Sequence, residues 1–356
     1  MFQLPDQPLR IQNLIAASLV SLALLMAAAG AAADPLFEDE STLDITLLGP
    51  FELINSERDK EKEYPAKLTY TDPDKGATTF DVLLSVRGKF RLQKDTCSNS
   101  QLWVNLKKGD LDDTLFYKQD KLKLVVQCRD VKRYGEYIHR ERQAYQMFAE
   151  LSDLSFATRA LQLTYVDSDS GDTKTHPAYF IQHHKRLAKE QGLENYQEPI
   201  APKDRLDKAQ ATLVSLYMYL LSNTDYSFIG SADAAEGEAC CHNAKQLIAE
   251  DGTLYPIPYD FDSSGFVSTP YALPAGDIGQ TDINVRVYRG YCAPDDVTQE
   301  ALQKLRDKRP QLEAIALNKE VLSSKSVRRA KGYLKKFYDI IDNPKKLQRE
   351  ILGRCR

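Results

Sequence analysis

The chain has 356 residues, with 47 Lys and Arg against 51 Asp and Glu, and a net charge of −4. This mildly acidic balance argues against a nucleic-acid-binding protein, which would carry a strongly basic surface. The length is enough for a two-lobed domain, or two domains, with a real hydrophobic core.

Residues 1–33 have the pattern of a secretory signal peptide. Arg10 precedes an apolar run from Leu14 to Ala33 that ends in three alanines before Asp34. A charged start, an apolar middle and small residues at the end indicate cleavage there. We therefore expect a secreted or periplasmic protein with no stable membrane span after cleavage. The alternative is an uncleaved anchor, because the run is nearly long enough to cross a bilayer.

Six cysteines form an even set, which favours three disulfides in an exported chain. Cys97 and Cys128 flank a strand-rich stretch and are predicted to pair. Adjacent Cys240 and Cys241 do not easily bond each other, so they are predicted to reach the cysteines at 292 and 355, in an order that stays open. A zinc site on the adjacent pair and the histidine after it is the alternative, although the paired spacing of zinc ligands is missing.

The chain divides by composition into four segments after residue 33. Residues 34–79 are charged and loop-rich and predict an N-terminal arm, with an edge strand over 43–48. Residues 80–200 contain strand patterns at 80–86, 101–106, 121–126, 160–166 and 177–181. Residues 201–322 begin with a buried helix that ends near Leu221 and finish with an amphipathic helix from Thr298.

The last segment, 323–356, predicts a basic amphipathic helix. Between Lys325 and Arg356 there are 11 Lys or Arg and three acidic residues, and the apolar residues face one way. Docking of that apolar face, with the basic face in solvent, is favoured over contact with an anionic surface.

A basic turn with a glycine follows the first of these strands, Arg87-Gly88-Lys89-Phe90-Arg91. In a nucleotide site, Arg87 could contact phosphate oxygens in a bidentate way, and Gly88 would let the backbone approach. The alternative is an ordinary surface hairpin.

Two further residues predict a nucleotide-binding pair. Lys123 shares a strand face with Lys121 but sits deeper in the apolar run, so it is the preferred phosphate ligand; a solvated face for both is the alternative. Glu141 lies on the apolar stripe of a helix over 137–151, where a carboxylate is costly without a partner. We expect a Lys123–Glu141 ion pair. His183 and His184 are expected to be surface residues.

Three polar clusters follow apolar runs between residues 223 and 265: Asn223-Thr224-Asp225, His242-Asn243 and Asp260-Phe261-Asp262. An acid that follows a helix, an amide some residues later and an acid at a strand end are the parts that phosphoryl transfer needs. One group accepts a hydroxyl proton and two oxygen ligands hold Mg²⁺ against phosphate. The alternative is that all three are helix caps and turns.

In this order, the three clusters resemble the signature of the spore-coat CotH family of atypical protein kinases. The first and last also resemble HipA-type kinases, more weakly. The resemblance spans about Phe80 to Arg289 and is strengthened by the Arg-Gly turn. It implies an α+β, two-lobed protein-kinase-like fold, with a β-rich nucleotide-binding N-lobe over 80–200 and a mainly helical C-lobe over 201–322. It also implies that residues 180–182 lie near an adenine base.

The resemblance further implies a role for each matching residue. Asp225 would be the base for an acceptor hydroxyl, or would orient it. Asn243 and Asp260 would be metal ligands, with Asp262 a second ligand or support. The sites implied at the nucleotide are Arg87, Lys123 and Glu141.

The expected cofactors are ATP with Mg²⁺ or Mn²⁺, and the expected acceptor is a hydroxyl of a protein or of the cell envelope. Two departures from the family pattern are the lack of any Lys or Arg between Asp225 and Lys245, and the cysteine pair before His242. The alternative function is therefore an inactive pseudokinase that acts as an envelope scaffold or binding protein. A metal-dependent hydrolase that uses His242, Asp260 and Asp262 is a weaker option.

Overall fold

Seven strands close into a barrel in the computed structural model, which describes residues 34–72, 75–106, 111–230 and 240–356. Around the barrel their order is β1-β2-β3-β4-β5-β7-β6, and every pair is antiparallel except β1 with β6. The predicted signal peptide lies outside the described residues. The barrel strands are β1 Leu43–Gly49, β2 Tyr64–Asp72, β3 Gly76–Arg87, β4 Gln101–Leu106, β5 Lys121–Val125, β6 Thr158–Asp167 and β7 Thr173–Ile181.

The barrel closes because its strands alternate apolar and polar residues, and the apolar side chains fill the interior. In β2 the burial alternates along the whole strand. Leu47 of β1 and Leu163 of β6 are fully buried, and the parallel register places Leu47 opposite Tyr165. Closure removes the two edges that an open sheet would leave.

The predicted two-lobed kinase-like fold is wrong. The segment predicted as an arm supplies β1 and β2, and β1 pairs with β6 more than a hundred residues later, so the sheet closes on itself instead of ending as an open lobe. A small sheet and the helices complete the fold, and Pro35–Arg356 form one compact unit.

The second sheet has three short antiparallel strands in the order β10-β9-β8. These are β8 Glu194–Asn195, β9 Ala244–Ile248 and β10 Leu254–Pro258. The helices are α1 Pro35–Glu38, α2 Phe51–Glu57, α3 Lys132–Ala149, α4 His184–Glu190, α5 Lys208–Leu221, α6 Asp295–Asp307, α7 Arg309–Ala316, α8 Ser324–Ile341 and α9 Pro344–Glu350.

Helix α5 positions the first polar cluster. Asp207 caps its start by accepting from the Gln210 amide, and residues 210–221 are all buried. The Tyr217 hydroxyl donates to the carbonyl of Ala144, which ties α5 to α3. The helix ends at Ser222 in the left-handed region, so the chain turns sharply into Asn223.

The C-terminal helices differ from the prediction in number. The helix predicted from Thr298 is two helices, α6 and α7, because Pro310 occupies the first turn of α7 and cannot continue the helix before it. Helix α8 buries the predicted apolar stripe, including Leu334 and Phe337, and exposes its basic residues. No helix of the described ranges combines the length and the apolar character needed to cross a membrane.

The cysteines are paired differently from part of the prediction. The Cys97–Cys128 bond is confirmed, but Cys292 is joined to Cys355 and to neither Cys240 nor Cys241. Arg356 makes two backbone hydrogen bonds with residues 290–292. These bonds hold the end of the chain beside that segment and bring Cys355 close to Cys292. The predicted link between the His242 segment and the C-terminal region is therefore wrong.

Candidate functional site

The β9–β10 hairpin brings the second and third polar clusters together. Asn243 directly precedes β9, and one residue, Tyr259, separates Asp260 from the end of β10. The Tyr259 amide donates to the Asn243 carbonyl at 3.1 Å. Both Asn243 and Asp260 have positive φ values, 49° and 59°. Asn and Asp tolerate this region better than most residues, so their type suits the turns they make.

The first cluster joins the second through hydrogen bonds. Oδ1 of Asp225 lies 2.6 Å from Nε2 of His242. The Asn243 side-chain amide donates to the other carboxylate oxygen of Asp225 at 3.0 Å and to its backbone carbonyl at 2.7 Å. The Asp225 amide donates to the Asn223 side chain at 2.9 Å. Both carboxylate oxygens of Asp225 thus have fixed partners.

Three carboxylates meet beside this pair. Glu141 of α3, Asp260 and Asp262 each offer an oxygen, and these oxygens lie within 4.8 Å of one another. Glu141 and Asp262 are buried. The Tyr145 hydroxyl accepts from the Asp260 amide at 2.8 Å, which fixes the hairpin end against α3.

A guanidinium lies among the three carboxylates, and it belongs to Arg91. Its nitrogens lie 2.6 Å from Asp260, 3.2 Å from Asp262 and 3.6 Å from Glu141. Arg91 is only 8% exposed. The expected partner of Glu141 was Lys123, so that ion pair was wrongly predicted: the cation beside Glu141 comes from the turn after β3.

The three carboxylates differ in protonation because burial and Arg91 act on them unequally. Burial raises the pKa of Glu141 to about 8 in spite of Arg91, and raises the pKa of Asp262 to about 6. Burial also acts on Asp260, but Arg91, Arg87 and Lys123 together hold its pKa below the ordinary value. The cluster therefore holds more negative charge than Arg91 balances.

Lys123 and Arg87 lie on the barrel side of the same cavity. Burial, reinforced by Arg87 and Lys245, lowers the pKa of Lys123 to about 7. Its amine lies 4.4 Å from the centre of the Tyr259 ring. Arg87 donates to the Leu102 carbonyl at 3.2 Å, and burial lowers its pKa.

The cavity has a volume of about 380 Å³ and is lined by at least one residue of each of the three clusters. Asp225, Asn243, Asp260 and Asp262 line one side. The lining also includes five further cationic side chains and the tryptophan, namely Lys60, Arg87, Lys89, Lys123, Lys245 and Trp103. Positively charged side chains around a group of carboxylates suit the binding of a polyanion together with a metal cation.

A small recess adjoins this cavity and is lined by His183 and His184 together with Lys123 and Tyr259. Both histidines, which were expected on the surface, are half-buried here. His183 is the N-cap of α4, outside a regular helix or strand, so neighbouring imidazoles can stack; their ring centres are 4.3 Å apart.

The acid cluster offers a donor set that fits a divalent metal ion. Oε1 of Glu141 is buried and, among the described residues, meets no hydrogen-bond partner of ordinary geometry. Such an oxygen is costly to bury and is available as a ligand. Carboxylate oxygens are what Mg²⁺ and Mn²⁺ prefer.

No protein-family model matches this chain, and no curated protein matches it with significant similarity. The resemblance to CotH kinases stays a prediction from the motifs.

The structure adds two residues to the predicted site. Arg91 was visible only as part of the basic turn. A signal for it existed, since a buried Glu141 and two acids from the last cluster need a nearby cation. His242 was weighed only as part of a His-Asn pair or of a hydrolase, whereas it contacts Asp225.

Proposed function

We propose that this protein transfers a phosphoryl group from a nucleoside triphosphate, such as ATP, to a hydroxyl group, with Mg²⁺ or Mn²⁺ as cofactor. The observation that carries the proposal is the meeting of three elements in one cavity: the Asp225–His242 pair, the carboxylates of Asp260 and Asp262, and the cations Arg87 and Lys123. Such transfer depends mostly on positioning and charge neutralisation.

The proton of the acceptor passes to the Asp225–His242 pair. The acceptor oxygen forms a bond to the terminal phosphorus, the bond from phosphorus to the bridging oxygen breaks, and the nucleoside diphosphate leaves. Because Asp225 already accepts a bond on each carboxylate oxygen, it suits the role of holding the imidazole in place. The imidazole then receives the proton.

The charge of the phosphates is met from two sides. Arg87 and Lys123 supply positive charge from the barrel. Asp260, Asp262 and the side-chain oxygen of Asn243 would hold the divalent ion, with Glu141 next to them. When bound, the ion neutralises phosphate oxygens and helps to align them.

The acceptor class follows from the expected location. The disulfides Cys97–Cys128 and Cys292–Cys355 are compatible with an exported protein. A protein or cell-envelope hydroxyl is therefore the acceptor that we propose. Activity there would require a supply of ATP outside the cytoplasm.

A second candidate is a binding protein without transfer, acting at the envelope. It is favoured by Arg91, which already pairs with the carboxylates that would hold the metal. Such a protein would keep affinity for nucleotide and lose turnover.

The test uses purified protein without residues 1–33. ATP with Mn²⁺ should raise the melting temperature, and Asp260→Ala should abolish this rise. Labelled phosphate should be incorporated into an envelope extract or the protein itself, and Asp225→Ala should prevent this. Binding without incorporation supports the second candidate; absence of any thermal shift with nucleotide and metal rejects both.

A further inference from the structure

Arg91 lies on an exposed turn, yet its own side chain is buried. The neighbouring Phe90 is 43% exposed, whereas Arg91 is 8% exposed. What holds Arg91 in place is its contact with three acids from two separate parts of the chain, α3 and the segment after β10. A cation in this position belongs to the acid cluster.

The geometry shows that Arg91 takes one oxygen from each carboxylate. Its contacts are with Oδ1 of Asp260, Oδ2 of Asp262 and Oε2 of Glu141. The remaining oxygen of Glu141 is buried and, within the ranges that the structure describes, has no hydrogen-bond partner. The cluster can therefore keep Arg91 and still offer an oxygen to another cation.

The net charge of the acid cluster depends on Arg91. A guanidinium stays charged in proteins, and carboxylates bind a metal in their ionised form. With a metal bound, Arg91 therefore cancels one of the three negative charges of Glu141, Asp260 and Asp262. Two negative charges remain, which one divalent ion balances. Without Arg91, the third charge would favour entry of a second cation, because uncompensated buried charge is costly.

We propose that Arg91 is a specificity-determining residue that limits the acid cluster to a single divalent ion by occupying the place of a second one. This inference rests on the proposed function, since it concerns the metal of the same site. It assigns Arg91 a permanent place beside the metal, as a fixed positive charge.

The test counts bound Mn²⁺, with the metal alone as probe and no turnover required. Isothermal titration calorimetry and the loss of the free Mn²⁺ electron paramagnetic resonance signal would be measured on five proteins. Wild type should bind one ion, Arg91→Gln two, and Arg91→Lys one. The double variant Arg91→Gln/Glu141→Gln, which removes one charge of each sign, should return to one. Lys94→Gln, on the same exposed turn, is the control and should bind one.

The outcomes separate the two claims. If wild type binds one ion and Arg91→Gln also binds one, the role of Arg91 is rejected while the metal site stands. Two ions on wild type or on Arg91→Lys reject it as well. No ion on wild type rejects both the metal site and this inference. If Arg91→Gln does not fold, the charge-balanced double variant decides: one ion supports the inference, and none or two overturn it.

Discussion

The two carboxylate oxygens of Asp225 have different partners, and within the proposed mechanism this suits an orienting role. One oxygen contacts the His242 imidazole and the other accepts from the Asn243 amide. A carboxylate held in this way fixes the orientation of an imidazole, as in other acid–histidine pairs. From the sequence, Asp225 was expected to be the base or the orienter, and the geometry favours the second role.

We predict that His242→Gln lowers phosphoryl transfer by about 100-fold, because general base assistance contributes at least that much. Nucleotide binding, followed by thermal shift, should be retained, since the imidazole pairs with Asp225 and the phosphates are met by Arg87 and Lys123. His176→Gln, on β7 and paired with Asp130, is the control. Transfer at the wild-type rate in His242→Gln would remove the histidine from the mechanism.

Lys123 should make stability depend on pH. Burial lowers its pKa from 10.5 to about 7, whereas an unfolded lysine keeps the higher value. Between these values the unfolded chain binds a proton that the folded chain lacks, so this group makes stability rise with pH. Below pH 7 both states are protonated, and the folded state bears the full cost of burying the charge.

Lys123→Met should therefore raise the melting temperature most below pH 7, and the gain should disappear near pH 10. Melting curves measured from pH 6 to 10 check this. Lys121→Met, on the same face of β5, is the matched control. A gain that is equal at all pH values would show that packing of the methionine, and not the charge, is responsible.

At the scale of elements, the parallel pairing of β1 with β6 decides the architecture. We predict that Leu47→Ala, at a fully buried position of β1, costs about 2–5 kcal/mol in the free energy of unfolding, as large-to-small core changes do. Replacing the neighbouring Leu48, which is 38% exposed, by Ala should lower the free energy of unfolding by much less. Denaturant titrations measure both. Equal, small effects would mean that β1 is not part of the barrel core.

Local sequence patterns predicted several strands and helices, but they did not predict that the sheet closes into a barrel. The strands β3, β4 and β5 and the helices α3 and α5 follow from alternating or three-to-four-residue spacing of apolar residues. The β1–β6 contact joins residues such as Ile45 and Leu163, far apart in sequence. Periodicity shows which face of a strand is buried but does not show which strand lies next to it.

At the scale of the whole molecule, the Cys292–Cys355 bond fastens the C-terminal helices to the segment beside the site. We predict that replacing both cysteines by serine lowers the free energy of unfolding by about 2–4 kcal/mol, because the bond closes a long loop. Calorimetry or denaturant unfolding measures the loss. Peptide mapping of the unreduced protein is the control. Finding Cys355 linked to Cys240 or Cys241 would contradict the pairing described above.

The candidate site could be predicted in its parts more than in its assembly. Asp225, Asn243, Asp260 and Asp262 were chosen from motifs, and all line one cavity. The contact between Glu141 and Arg91 could not be foreseen, because the sequence offers three cations as partners: Lys123 on β5, Arg87 at the end of β3 and Arg91 in the turn after it. Choosing among them requires side-chain directions, which only the closed barrel defines.

The chain has a single tryptophan, Trp103, and it lines the cavity beside Lys121 and Lys123. Selective excitation of this indole will therefore give fluorescence that comes from the site itself. A change in its intensity or colour would report occupancy directly, without any added dye, and the time course of mixing would give the rates at which a ligand arrives and departs.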